Sequence, residues 1–133
     1  MRILIVDDDP ATRHCLVRVL QDSGQADTAE NGEEALARFA AALDEGNPYG
    51  LVCLDINMPR LDGQEALKRM RELEGARAVA PGAECKVVMT TALADTGSVT
   101  TAFFQGQADG YVRKPLRMDE LKSTLRGLGV PLA

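Results

Sequence analysis

Five short apolar runs alternate along the chain with longer stretches in which apolar residues recur at helical spacing. The runs predict β-strands over residues 2–7, 25–29, 49–54, 85–90 and 109–113. Four of them are almost continuously apolar, which is typical of parallel strands that are buried on both faces of a sheet. The run over 25–29 is short and polar, so we expect it to form an edge strand.

The intervening stretches carry apolar side chains at the period of about 3.6 residues that marks an amphipathic helix. Three such faces consist of Leu36, Phe39, Ala40 and Leu43, of Leu67, Met70 and Leu73, and of Met118, Leu121, Leu125 and Leu128.

Capping residues predict helix starts at Asp9-Pro10, at Asn31 with Glu34, and at Asp62 with Glu65. Glycines predict helix ends at Gly24, Gly46, Gly75 and Gly127. Five strands alternating with five helices predict an α/β fold, a doubly wound (βα)5 parallel sheet.

Length and composition narrow the class of protein. The 133 residues fit a single domain over 1–133, with a core over about 2–128 and no output domain. The net charge of −5 and the lack of a basic run argue against nucleic-acid binding. No apolar run approaches the roughly 20 residues of a membrane helix, and the first residues do not resemble a signal peptide. Three scattered cysteines fit a reducing cytoplasm, so we expect a cytoplasmic protein without a membrane anchor.

Acidic side chains follow two of the predicted buried strands. Asp55 ends the apolar run over 51–54, and Asp7 and Asp8 follow the run over 3–6. The carboxyl ends of parallel strands meet at one edge of an open α/β sheet, which is where ligands bind. Three carboxylates arriving at that edge from two strands predict a site for a divalent cation.

Two further polar residues follow strands at the same edge. Thr91 comes after the apolar run that ends at Thr90, and Lys114-Pro115 follows the last strand. The ordered set resembles the receiver domain of two-component response regulators. The matching motifs are Asp7-Asp8, Asp55 with Met58-Pro59 and Asp62-Gly63, Thr91-Ala92, and Lys114-Pro115. The resemblance covers nearly the whole chain and implies the flavodoxin-like strand order 2-1-3-4-5 with helices on both faces. The segment 62–67 is similar to stand-alone, chemotaxis-type regulators.

The resemblance implies that Asp55 is a nucleophile that takes a phosphoryl group from a phosphohistidine and becomes an acyl phosphate. Mg²⁺, with Mn²⁺ as the alternative, would relieve the repulsion between the carboxylate and the phosphoryl group. Asp8 and Asp55 would ligate the ion directly, and Asp7 directly or through water. Asn57 would contribute its backbone carbonyl.

Lys114 and Thr91 complete the implied phosphorylation site. Lys114 would place a positive charge on one phosphoryl oxygen, and the Thr91 hydroxyl would donate to another. Pro115 makes a cis Lys114–Pro115 peptide bond plausible, which would aim the lysine inward. No other cofactor is implied, and the only catalysis expected is of the protein's own phosphorylation and dephosphorylation, so we do not expect an enzyme.

The same resemblance implies a switch. Thr91 would move toward the phosphoryl group and vacate space for Tyr111, which repacks the face formed by the fourth helix, the last strand and the last helix. The fourth helix, over 95–106, is rich in threonine, serine and glycine, and this low helix propensity suits an element that moves at modest cost. Phe104 and Tyr111 are the expected partner contacts on this face.

The implied partners are a sensor histidine kinase or a histidine phosphotransfer protein upstream, and an unidentified protein target downstream. We expect a monomer that could dimerise when phosphorylated. A phosphorelay shuttle that passes the group to another histidine fits the same residues.

Two alternatives share the strand-end chemistry or the fold. A Mg²⁺-dependent aspartyl phosphatase needs a second aspartate two residues after its nucleophile, but that position holds Asn57, and no cap domain is present. An FMN carrier needs a phosphate loop after the first strand, and the acidic segment 7–9 would repel phosphate there.

Overall fold

The computed structural model describes residues 1–56, 58, 61–92 and 108–132, with the backbone alone for residues 91 and 92. The strands are β1 (Arg2–Val6), β2 (Gln25–Ala29), β3 (Leu51–Asp55), β4 (Lys86–Ala92) and β5 (Gly110–Lys114). The helices in these ranges are α1 (Pro10–Leu20), α2 (Gly32–Asp44), α3 (Gly63–Ala76) and α4 (Met118–Gly127). The predicted helix over 95–106 lies outside the described residues.

All five strands are parallel and lie in the order β2-β1-β3-β4-β5. This confirms the predicted fold class, with the polar strand β2 at one edge of the sheet. The predicted strand ends are correct to within two residues. The largest error at a carboxyl end is in β4, where Thr91 pairs with Arg113 and Ala92 with Lys114, so the strand continues beyond the predicted end at residue 90. Threonine suits a strand because its β-branched side chain fits the pleated surface.

The sheet separates two apolar layers. One side, covered by α2 and α3, buries Leu4, Val6, Val52, Leu54, Val87 and Met89 against helix residues that include Phe39, Leu67 and Met70. The other side, covered by α1 and α4, buries Ile3, Ile5, Leu51, Cys53, Val88 and Val112 against Leu16, Leu20, Leu121 and Leu125. Successive strand residues therefore enter opposite layers, which is why these strands are continuously apolar. Met118, predicted on the same helix face as Leu121 and Leu125, is the first residue of α4 and is 39 % exposed, whereas those two leucines are buried.

The three predicted helix starts are confirmed by hydrogen bonds from backbone amides to capping side chains. The Ala11 amide donates to Asp9 Oδ1 at 3.1 Å, the Glu34 amide to Asn31 Oδ1 at 2.9 Å, and the Glu65 amide to Asp62 Oδ1 at 2.9 Å. Each cap satisfies an amide that has no partner within its helix, and each contributes about 1 kcal/mol.

The predicted helix ends were less accurate. Gly46 does follow the end of α2, with a φ of +72°. Gly75, however, lies inside α3, and Gly127 is the last residue of α4 rather than its stop signal. Gly24 lies beyond the turn that ends α1, and a Cβ there would come within 1.9 Å of the Met1 carbonyl oxygen. Its glycine is needed for close backbone packing, which a sequence pattern does not reveal.

The cysteines are free thiols. Burial raises the pKa of Cys53 to about 12 and is also the main cause that raises the pKa of Cys85 to about 12. Both thiols therefore stay protonated near neutral pH and behave as small apolar side chains. Among the helices in the described ranges, none has the length and apolar character needed to span a membrane.

A polar cluster closes the end of the sheet opposite the acidic edge. The Tyr49 hydroxyl donates to Asp27 Oδ2 at 2.7 Å, and Arg2 Nη2 lies 3.2 Å from the same oxygen. The Arg2 guanidinium also lies over the Tyr49 ring, 4.6 Å from its centroid. Burial, with the bond to Asp27, raises the pKa of Tyr49 to about 12, and the same bond is the main cause that lowers the pKa of Asp27.

The contacts in this cluster predict that Tyr49 loses its proton at a higher pH than an ordinary tyrosine. Because the pKa of folded Tyr49 lies above its ordinary value of 10.0, its contribution to stability is complete below that pH and is lost as the pH rises through about 12. Asp27 has the opposite sign: its contribution is present above its ordinary pKa of 3.8 and is lost as the pH falls through its lowered value. Ultraviolet titration should show a tyrosinate step near 12 that Tyr49→Phe removes and Tyr111→Phe retains. Titration of Tyr49 at its ordinary value of 10.0 would contradict this account.

Candidate phosphorylation and metal site

The carboxyl edge of the sheet brings three predicted site residues into contact. Asp7 directly follows β1, Asp55 is the last residue of β3, and Lys114 is the last residue of β5. Lys114 Nζ lies 2.8 Å from Asp7 Oδ2 and 3.2 Å from Asp55 Oδ2. The Lys114 ammonium group therefore bridges two carboxylates that come from different strands. The Lys114–Pro115 peptide bond next to it is cis.

Asp7 is completely buried and is held by its neighbours in the fold. Its backbone amide donates to the Ala29 carbonyl at 3.1 Å, and its Oδ1 accepts from the Asp9 amide at 2.9 Å. These bonds leave Oδ2 directed toward Lys114. The Asp7 carboxylate is thus oriented by the turn between β1 and α1, which the Asp9 cap also stabilises.

Asp8 adds a third carboxylate to this edge. Asp7, Asp8 and Asp55 each offer an oxygen, and these oxygens lie within 4.8 Å of one another. Asp7 and Asp55 are buried, whereas Asp8 is exposed. An all-oxygen set of negatively charged donors fits a hard divalent cation, which prefers carboxylates and retains waters on its open side. The buried Asp7 Oδ2 and the exposed Asp8 would give such an ion one fixed ligand and one accessible to solvent.

The electrostatics of the site favour a charged lysine. Partial burial lowers the pKa of Lys114, but the hydrogen bond with Asp7 and the charge of Asp55 outweigh burial and raise it overall. The ammonium group therefore keeps its charge next to the acids at neutral pH. It offsets part of their mutual repulsion and provides a positive charge beside the Asp55 carboxylate.

Backbone contacts fix the end of β3 that carries Asp55. The Ile56 amide donates to the Thr90 carbonyl at 3.0 Å, and the Ile56 carbonyl accepts from the Gly63 amide at 2.8 Å. A Cβ on Gly63 would lie only 2.2 Å from the Asp55 carbonyl oxygen. Gly63 therefore lets the start of α3 pack against the backbone of Asp55. Sequence reasoning used this glycine only as part of a motif, although a glycine directly after a capping aspartate was a signal for close packing.

The structure describes the other predicted site residues only in part. The backbone of Thr91 lies inside β4 near its carboxyl end, so it does not follow the strand as predicted, and its side chain lies outside the described atoms. Tyr111 lies in β5 and is 40 % exposed. Asn57 and Phe104 lie outside the described residues, so their predicted roles as a ligand and a partner contact stay predictions.

Comparison with known families agrees with this geometry. The family described as the response regulator receiver domain matches residues 3–126. The chain belongs to this family. As a receiver domain, it takes part in the phosphorylation-based signalling of two-component systems.

Similar proteins include both longer regulators and single receiver domains. The transcriptional regulatory protein TcrA of Mycobacterium tuberculosis is 37 % identical over 131 residues, which cover 96 % of this chain and 46 % of TcrA. The response regulator MprA of Mycobacterium avium is 37 % identical, over 96 % of this chain and 50 % of MprA. The receiver domain thus spans about half the length of these curated relatives.

A solved structure of the response regulator TrrA from Thermotoga maritima, in complex with Mg²⁺ and BeF, is 36 % identical. It aligns with a TM-score of 0.70 over 96 % of this chain and 97 % of TrrA. The chemotaxis protein CheY4 of Vibrio cholerae is 28 % identical, with a TM-score of 0.74 over 95 % of this chain and 96 % of CheY4. These structures share the receiver fold.

The close packing of Gly63 predicts an unusual response to alanine. In an ordinary helical position, Gly→Ala stabilises by up to about 1 kcal/mol. We expect Gly63→Ala instead to lower the free energy of unfolding by about 1–3 kcal/mol, because the new methyl group collides with backbone that cannot easily move. Urea unfolding followed by circular dichroism measures the difference.

Gly75→Ala is the matched control, since Gly75 lies in the same helix of the receiver domain and a Cβ there would meet nothing within 4 Å. This variant should be at least as stable as the wild type. Equal stabilisation by both substitutions would show that α3 does not need its close approach to Asp55.

Proposed function

We propose that Asp55 is the phosphoryl acceptor of this receiver domain and that Asp7, Asp8 and Asp55 hold a Mg²⁺ ion during the transfer. The observation that carries the proposal is the contact of one ammonium group with two carboxylates. Lys114 Nζ lies 2.8 Å from Asp7 and 3.2 Å from Asp55, with Asp8 beside them. A purely structural ion pair would need one acid, whereas this edge concentrates three.

The proposed reaction is an in-line transfer to a carboxylate. An Asp55 oxygen attacks the phosphorus of a phosphohistidine, the phosphorus–nitrogen bond breaks, and its electron pair leaves with the imidazole nitrogen. The product is an acyl phosphate on Asp55. Two anions must approach each other in this step, so positive charge at the site lowers the barrier.

Residues of the chain supply part of that charge and the required positioning. Lys114 lies next to Asp55, so its ammonium group could contact a phosphoryl oxygen on Asp55 while it keeps its ion pair with Asp7. A Mg²⁺ ion held by the three carboxylates would supply the remaining positive charge to the phosphoryl oxygens. The oriented Asp7 carboxylate and the exposed Asp8 carboxylate are the ligands that this chain contributes besides the acceptor itself. In the proposed scheme the Thr91 hydroxyl donates to a phosphoryl oxygen.

We further propose that the signal leaves through the face that carries Tyr111. The phosphoryl group adds roughly −1.5 to −2 charges at the edge of the sheet, which favours movement of nearby donors such as Thr91. Thr91 and Tyr111 lie on neighbouring strands, where Tyr111 pairs in register with Met89. This register and the exposure of the Tyr111 ring support the proposal that Tyr111 responds to a change at the end of β4.

A histidine kinase or histidine phosphotransfer protein is the proposed donor, and the downstream target is proposed to be another protein. The longer relative TcrA carries the name of a transcriptional regulatory protein, and the receiver domain covers only 46 % of it. A role as a phosphorelay shuttle is the second candidate, because the same site serves transfer in both directions. Incubation of the phosphorylated protein with histidine phosphotransfer domains separates the two, since only a shuttle returns the group to histidine.

The central test uses intact-mass spectrometry after incubation with acetyl phosphate and Mg²⁺. We expect the wild type to gain about 80 Da, the mass of one phosphoryl group, and Asp55→Asn to gain nothing. Chelation of the metal should also prevent the gain, because the repulsion between anions is then uncompensated.

Asp62→Asn is the matched control for this experiment. Asp62 caps α3 outside the acid cluster, and asparagine caps helices as well as aspartate does. This variant should gain the full mass. An equal gain by Asp55→Asn and the wild type would overturn the proposed acceptor.

A further inference from the structure

Arg13 reaches from α1 back to the turn that carries the acid pair. Its Nη1 donates to the main-chain carbonyl of Asp7 at 2.7 Å, and its Nη2 lies 3.7 Å from Glu30 Oε1. Helical side chains lean toward the N-terminus of their helix, so an arginine in the second turn of α1 can extend past its start. The Arg13 side chain is only 16 % exposed, whereas that of Glu30 is 71 % exposed. The bond to Asp7 is therefore the better protected of the two contacts.

This bond completes the fixation of Asp7. The Asp7 amide donates to the Ala29 carbonyl, and Asp7 Oδ1 accepts from the Asp9 amide. The carbonyl that Arg13 binds belongs to the same planar peptide unit as the Asp8 nitrogen. Holding that plane fixes the positions of the Asp8 nitrogen and Cα, from which the Asp8 side chain leaves the backbone. The Asp8 carboxylate accepts no hydrogen bond from the described residues, so its direction depends on its backbone.

We infer that Arg13 is a positioning residue for the metal ligands: it orients the Asp7–Asp8 peptide so that both carboxylates face the same ion. This inference rests on the proposed function, since it assigns Arg13 a role in the Mg²⁺ site proposed above. Arg13 would act through its bond to the Asp7 carbonyl and not by direct contact with the ion. It acts as an outer-shell partner, and loss of such a partner weakens metal binding by about tenfold or more.

The sign of the effect separates positioning from simple charge. Arg13 carries a positive charge near the acid cluster, and removing a positive charge there should by itself strengthen the binding of a cation. If Arg13 mattered only through its charge, Arg13→Met would bind Mg²⁺ more tightly. If it orients the ligands, the same variant binds Mg²⁺ more weakly.

The experiment measures the Mg²⁺ dissociation constant of the unphosphorylated protein by isothermal titration calorimetry, together with thermal melting in the presence of a chelator. We expect Arg13→Met to weaken binding about tenfold. Arg13→Lys, which keeps the charge but lacks the planar fork, should bind more weakly than the wild type and more tightly than Arg13→Met. The melting curves show whether any loss reflects unfolding, because a merely structural role would change melting without changing Mg²⁺ affinity.

Two substitutions serve as controls. Arg18→Met removes the same charge from an exposed position of the same helix, and Glu30→Gln removes the exposed partner of Arg13. Both should keep the Mg²⁺ affinity of the wild type within about twofold, since an exposed ion pair contributes little.

The outcomes separate this inference from the proposed function. Unchanged or tighter Mg²⁺ binding by Arg13→Met overturns the inference while the proposed site stands. Absence of Mg²⁺ binding by the wild type overturns the proposed site and the role of Arg13 with it. If Arg13→Met does not fold, the lysine variant decides: weaker binding than the wild type supports positioning, and equal or tighter binding overturns it.

Discussion

One ammonium group lies among three carboxylates at the carboxyl edge of this sheet. The properties of the site depend on this excess of negative charge. Lys114 contacts Asp7 and Asp55, and Asp8 lies next to them. Two unit charges about 4 Å apart interact by about 4 kcal/mol at the effective dielectric constant near a protein surface. A single lysine therefore stabilises the two buried acids but leaves excess negative charge. That excess supports the proposed binding of a further cation at this edge.

The fold keeps Asp7 and Asp55 together despite their repulsion because they lie at the ends of two strands that are hydrogen-bonded to each other. Asp7 follows β1 and Asp55 ends β3, and the two strands are neighbours in the sheet. Separating the carboxylates would require breaking a ladder whose side chains fill two apolar layers. The turns add further restraint, since Asp9 both caps α1 and donates to Asp7, and Gly63 brings α3 against Asp55. Residues that do no chemistry thus hold the repelling groups in place.

The sequence predicted those parts of the structure that depend on local pattern or on strand order. Strands buried on both faces must be continuously apolar, so the sheet could be read directly, and capping side chains such as Asn31 lie within three residues of the amides they bind. Parallel strands then bring their ends to one edge, which was enough to group Asp7, Asp55 and Lys114. Features set by packing between distant segments could not be read in this way. Gly75 resembled a helix end but lies within α3, and the closeness of Gly63 to Asp55 arises only in the folded chain.

The contrast between Asp7 and Asp8 shows how the site can be both ordered and open. Asp7 is buried, and its amide, its carbonyl and both carboxylate oxygens have partners. Asp8 is exposed, so an ion arriving from solvent can reach this carboxylate first without displacing any protein contact. An exposed side chain alone would be a poor ligand, because ordering it on binding costs conformational entropy. A peptide plane fixed on its Asp7 side by Arg13 reduces that cost while leaving the carboxylate in water. Adjacent aspartates at the end of one strand can therefore serve different purposes, one as a fixed ligand and the other as the point of entry.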